Sequence, residues 1–141
     1  KANELGLNET VLFLGLRDDV PELLAISDLF VLPSLYEAQG RVIVEAMAAG
    51  LGVVATKVGG VPDVVVDGIT GILVPAADSH ALAAAIISLI TDHKTKSLVN
   101  KVNRKKAKQM GQAGRKRVDP EFSVETMVQK IDALYCELLR N

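Results

Sequence analysis

The chain reads as an α/β domain built on a Rossmann-like, mainly parallel sheet flanked by helices. Three observations predict this class. Short apolar runs without polar alternation, at residues 11–14 and Leu29–Leu32, suit strands buried on both faces. Between such runs, longer segments repeat apolar residues at helical spacing, and Gly or Pro punctuates most junctions. Strands that alternate with helices favour parallel pairing through crossover helices.

Taken in order, residues 1–5 resemble the end of a helix closed by Gly6. Residues 11–15, Val-Leu-Phe-Leu-Gly, predict a first strand. Arg17, Asp18 and Asp19 predict the cap of a short helix over residues 20–27. Leu29–Leu32 predicts the second strand, stopped by Pro33 and Ser34. A helix is expected from about Gly40 to Ala49, with Gly50 ending it. Residues 53–56, Val-Val-Ala-Thr, predict the third strand, and Gly59-Gly60-Val61-Pro62 a loop entering one turn of helix. Residues 72–75, Ile-Leu-Val-Pro, predict a fourth, short strand. Asp78 is placed to N-cap a helix running to about Thr91, with Leu82, Ala85, Ile86, Leu89 and Ile90 as its apolar face.

Residues 95–118 carry an irregular helical pattern. Ser123 with Thr126 opens a last helix, over residues 123–140, whose apolar face is Val124, Met127, Val128, Ile131, Leu134 and Leu138. Four strands are fewer than a doubly wound sheet carries. The pattern therefore describes one partial domain over residues 1–141, with its first strands expected upstream of Lys1. No repeat and no Pro/Gly/Ser-rich linker divides it.

Composition narrows the class. With 49% hydrophobic and 23% charged residues, the chain has the balance of an ordinary soluble globular domain. No stretch approaches the roughly 18 apolar residues that span a bilayer. Cys136 is alone, which excludes a disulfide framework and suits a reducing cytoplasm. His80 and His93 stand apart from each other and from Cys136, so no metal-ligand spacing exists and no metal or cofactor is expected.

The net charge of −1 hides an asymmetry. Residues 94–117 hold ten basic and no acidic residues, leaving six basic against seventeen acidic elsewhere. Lys101, Arg104, Lys105 and Lys108 fall on one side of a helix. That stripe reads first as a solvated face and second as a site for an anionic membrane surface, which would place the protein at the inner face of the membrane. Nucleic acid is disfavoured, because no aromatic residues interleave the charges.

Glu37 and Glu45 carry the chemistry. They are spaced Glu-x7-Glu at the mouth of one strand-to-helix turn, and Glu45 interrupts an otherwise apolar run from Val42 to Ala49. Such a run reads as buried, and burying an unpaired carboxylate costs several kcal/mol. Glu45 is therefore expected to need a hydrogen-bonding partner, for which a hydroxyl-rich ligand would serve. One motif is a decoy: Gly50, Gly52 and Ala55 match the dinucleotide fingerprint G-x-G-x-x-[GA], but that fingerprint follows a strand and opens a helix. Here the order is reversed, which excludes a nicotinamide or flavin dehydrogenase.

The stretches "VLFLGLRDDVPELLAISDLFVLPSLYEAQGRVIVEAMAAG" and "VVATKVGGVPDVVVDGITGILVP", with the trailing "MGQAGRKRV" and "FSVETMVQKIDALYCELL", extend over essentially the whole chain. Together they resemble the C-terminal, donor-binding domain of family-4 glycosyltransferases, which have the two-domain GT-B fold. The resemblance implies a retaining enzyme that moves a sugar from a nucleotide-diphosphate sugar to a glycan or lipid-linked acceptor, as in cell-envelope polysaccharide synthesis. It implies that Glu37 contacts the transferred sugar and that Glu45 accepts both ribose hydroxyls. Ala38, Gln39 and Gly40 would offer backbone N–H groups, Arg41 would reach phosphate or acceptor, and Gly15 and Leu16 would lie beside the base.

The family's diphosphate-binding arginine and lysine, and its acceptor domain, lie upstream of the matched region. The chain is therefore expected to be inactive alone, and to self-associate through its last helix, which in this fold crosses to the other domain, or through a raw sheet edge. A nucleotide-sugar epimerase of the same fold and a non-catalytic nucleotide-sugar-binding module are the competing readings. Ala38, Gly52 and Asp63 stand where many relatives carry glycine, proline and glutamate.

Overall fold

The computed structural model describes residues 1–91 and 104–140. Its three strands are β1 (Leu29–Leu32), β2 (Gly52–Thr56) and β3 (Gly71–Val74), all parallel and in the order β1-β2-β3. The registers pair Phe30 with Val53 and Leu32 with Ala55 on one side, and Val54 with Ile72 and Thr56 with Val74 on the other. The helices are α1 (Val20–Ile26), α2 (Arg41–Ala48), α3 (Val61–Val64), α4 (Ser79–Ile90), α5 (Lys105–Glu121) and α6 (Val124–Leu138).

Every residue of β2 is buried, as expected of a central parallel strand covered on both faces. Its side chains divide by the two-residue strand period. Val53 and Ala55 pack with Ile43, Ala46 and Met47 of α2, Val61 and Val64 of α3, and Val118 of α5. Val54 turns the other way, onto Ala85 and Leu89 of α4 and Ala107 and Met110 of α5. The result is a sheet between two helical layers, with α5 serving both.

Helix α5 approaches closely because small residues line its inner face. A Cβ on Gly111 would overlap the carbonyl of Gly50, one on Gly52 would lie 2.8 Å from the carbonyl of Ala107, and one on Gly114 would press on Met47. At the other end Arg117 donates to the carbonyls of Val64 (3.2 Å) and Asp63 (3.0 Å), tying α5 to the last turn of α3. Two helix starts behave as their sequences predict: Asp78 accepts from the Ala81 amide at 2.8 Å, and Ser123 from the Thr126 amide at 3.1 Å.

Three expectations need correction. Residues 11–15 form no strand, so the described sheet has three strands and not four; Val11, Leu12, Phe13 and Leu14 are exposed. An apolar run becomes a strand only when a neighbour completes its hydrogen-bond ladder, and none of the described strands pairs with it. At the start of α1, Asp19 occupies the N-cap position but makes no capping bond, because its carboxylate is taken by the Arg17 guanidinium. Residues 1–5 hold a 3₁₀ turn, Asn3–Leu5, closed by Gly6 in the left-handed region, in place of an α-helical end.

The last helix matches its predicted span and stands off the domain. No residue of α6 is buried, and Val124, Met127, Val128, Ile131, Leu134, Tyr135 and Leu138 are 46–67% exposed. Lys94, Lys96, Lys101 and His93 lie outside the described residues.

Candidate functional site

The strands run parallel, so their C-terminal ends face one edge of the sheet, where ligands of open α/β folds bind. From the end of β1 the chain passes through Pro33 and Ser34 to Glu37, then enters α2 behind Gly40. Gly40 takes φ +71°, a left-handed value that glycine reaches without strain, and this sharp bend aims the start of α2 at the depression. No side chain caps α2, and of its first-turn amides that of Ile43 already donates to the Gly40 carbonyl at 2.7 Å.

Glu37, Ala38, Gln39, Gly40, Arg41 and Glu45 line one depression with Val42, of about 510 Å³. Six of the eight residues assigned to the site are therefore brought together. The other two do not line it: Gly15 is not among its lining residues, and Leu16 lines a separate depression with Arg17, Asp18, Asp19 and Glu22. There Arg17 holds the Asp19 carboxyl below the ordinary carboxylate range, and Asp19 raises Arg17 in return.

Glu45 is exposed, against the burial expected of its apolar run. The helix explains the difference. Ile43, Ala46 and Met47 turn into the core, while Arg41, Glu45, Ala48 and Ala49 fall on the opposite face. Glu45 thus has no burial cost to offset, and its interest lies in facing the same depression as Glu37. Glu37 is half-buried, and the Ser34 hydroxyl donates to its Oε2 across a long 3.4 Å.

The backbone behind Glu37 is held by a second loop, the Gly59-Gly60 segment that enters α3. The Gly60 amide donates to the Ala38 carbonyl at 2.9 Å, and the Thr56 hydroxyl donates to the Ser34 carbonyl at 2.6 Å. A hydroxyl closing an otherwise apolar strand was the available signal for Thr56. The depression also continues into a larger groove of about 850 Å³, where Gln39, Arg41, Val44 and Glu45 meet Phe122, Val124, Met127, Lys130 and Ile131 around the start of α6.

Residues 1–117 match the family model described as "Glycosyl transferases group 1". The chain is 36% identical over 137 residues to N-acetyl-alpha-D-glucosaminyl L-malate synthase of Bacillus anthracis, covering 97% of this chain and 33% of that protein. Among solved structures, sucrose-phosphate synthase from Thermosynechococcus elongatus superposes with a TM-score of 0.83 at 33% identity, over 99% of this chain and 33% of that one. Anabaena Alr3699/HepE in complex with UDP superposes with a TM-score of 0.84 at 34% identity, over 96% of this chain and 35% of that one. The same protein has also been solved in complex with UDP-glucose. The chain spans about a third of the length of these relatives. By this match over most of its residues, the chain belongs to the group 1 glycosyltransferase family.

Proposed function

We propose that the chain is the donor-binding part of a retaining glycosyltransferase that takes its sugar from a nucleotide-diphosphate sugar. One observation carries the reading: Glu37, Glu45 and the uncapped start of α2 line a single depression at the C-terminal edge of a parallel sheet. The diphosphate suits the α2 N-terminus, where amide donors and the positive end of the helix dipole converge. Glu45, one turn into α2 and exposed, accepts the ribose hydroxyls. Glu37 accepts hydroxyls of the transferred sugar and keeps the ring facing the acceptor. Arg41, exposed at the helix start, adds positive charge beside the phosphates. The complexes of Alr3699/HepE with UDP and UDP-glucose support a nucleotide sugar as ligand.

The acceptor site and the remaining diphosphate ligands belong, in this reading, to the portion of the relatives that the chain does not span. The groove beside Phe122 and Met127, with the exposed apolar face of α6, is where that portion would pack. The chain alone is then expected to bind donor and not to turn it over.

Ligand-observed NMR of the chain with UDP, GDP and ADP, repeated on Glu45→Gln, tests the assignment. Glu45 is exposed and its side chain makes no described hydrogen bond or ion pair, so the substitution should move stability by less than about 0.5 kcal/mol. Loss of a hydrogen bond to a charged acceptor should weaken the preferred nucleotide by about tenfold or more. Equal binding by both proteins would remove Glu45 from the site.

A further inference from the structure

We propose that Thr56 is a positioning residue for Glu37, and that the segment from Thr56 to Gly60 is a two-point clamp on the sugar-facing loop. The inference rests on the donor-site reading above. Thr56 ends β2 and is 3% exposed. Strand β2 does not need its hydroxyl, since the ladder is made by backbone groups and Val53, Val54 and Ala55 fill the two faces. A buried hydroxyl without a partner would cost about 1–3 kcal/mol. Valine, of nearly the same shape, would avoid that cost.

The hydroxyl instead spends its one proton across to the neighbouring loop. Oγ1 donates to the Ser34 carbonyl at 2.6 Å, with the Leu32 carbonyl further away at 3.4 Å. Ser34 lies just past β1 and opens the loop that presents Glu37, and its own hydroxyl reaches Glu37 Oε2. Four residues beyond Thr56, the Gly60 amide donates to the Ala38 carbonyl at 2.9 Å. The two bonds bracket Glu37, one before it and one after. Between them the loops meet backbone to backbone, with no room for a Cβ on Gly59. Fixing both flanks limits the positions open to the Glu37 carboxylate, which is how a supporting shell keeps a binding group in place.

A clamp of this kind acts on sugar recognition and leaves nucleotide recognition, centred on α2 and Glu45, unchanged. The test uses the full-length protein with Thr56→Val, Thr56→Ser, Glu37→Gln and Glu45→Gln, titrated with UDP and with UDP-glucose. Backbone hydrogen exchange over residues 34–40 is followed without ligand. Thr56→Val should weaken UDP-glucose about tenfold while UDP stays within about twofold, should raise exchange across residues 34–40, and should be rescued by Thr56→Ser. Unchanged exchange in Thr56→Val overturns the proposal. So does an equal loss for UDP and UDP-glucose, which marks a purely structural threonine. If neither glutamate variant alters binding, the donor-site reading falls, and the exchange data alone decide whether the clamp exists.

Discussion

Gly59 lies directly against the carbonyl oxygen of Glu37, in the space that a side chain would need, and takes φ +49°. Both facts exclude larger residues, one through overlap with backbone and one through strain in the left-handed region. Gly59→Ala should destabilise the fold by about 2 kcal/mol and displace the Glu37 loop, so that urea unfolding and UDP-glucose titration report losses together. An alanine variant with unchanged midpoint and unchanged affinity would show that the two loops can part without consequence.

Gly111 tests the packing of α5 in the same way, away from the site. Alanine is favoured over glycine in a helix by about 1 kcal/mol. Here that gain is outweighed, because the added Cβ overlaps the Gly50 carbonyl and α5 must move off β2, an overpacking cost of about 1–3 kcal/mol. Gly111→Ala should therefore lower the thermal midpoint. A higher midpoint would mean that α5 shifts freely and that propensity dominates.

Helix α6 exposes an apolar stripe beside the groove at Phe122. Such a stripe in water favours association through the same face. The isolated chain should show a concentration-dependent mass in light scattering, and Met127→Glu with Ile131→Glu should return it to a monomer without loss of helicity. A wild-type monomer at high concentration would count against exposed apolar area as the driver. Persistent association of the double variant would shift attention to the open edge of β1.

The basic face of α5 is expected to be a weak lipid ligand at most. Arg104 is paired with Asp28 at 2.9 Å, and Arg117 is engaged with Glu121, Val64 and Asp63. Lys106, Lys108, Arg115 and Lys116 remain exposed among the described residues. At about 1 kcal/mol for each cation near an anionic surface, four supply about 4 kcal/mol, a millimolar affinity. Sedimentation with phosphatidylserine vesicles should appear at low salt and vanish at physiological salt. Retention at physiological salt would assign a membrane role to this face.

Local chemistry was written plainly in the chain. Strand β1 was legible to the residue, because Pro33 stops it and its apolar run has no alternation. Helices α4 and α6 were legible from Asp78 and Ser123, whose caps form as the side chains dictate. The Glu-x7-Glu spacing about a strand-to-helix turn predicted a shared site, and the loop after β1 brings Glu37, and α2 Glu45, to one depression.

What sequence alone determined was thus the identity of most elements and the residues that line one depression, since caps, breakers and periodicity act within a few residues. Tertiary structure decided the rest, because burial and pairing depend on neighbours far along the chain. It left residues 11–15 without a ladder, although their composition is that of a strand. It turned Glu45 outward, because the core takes only one face of α2 and the run around Glu45 is apolar on both. It brought Thr56 and Gly60 against the Glu37 loop, a contact between segments about twenty residues apart that no local pattern encodes.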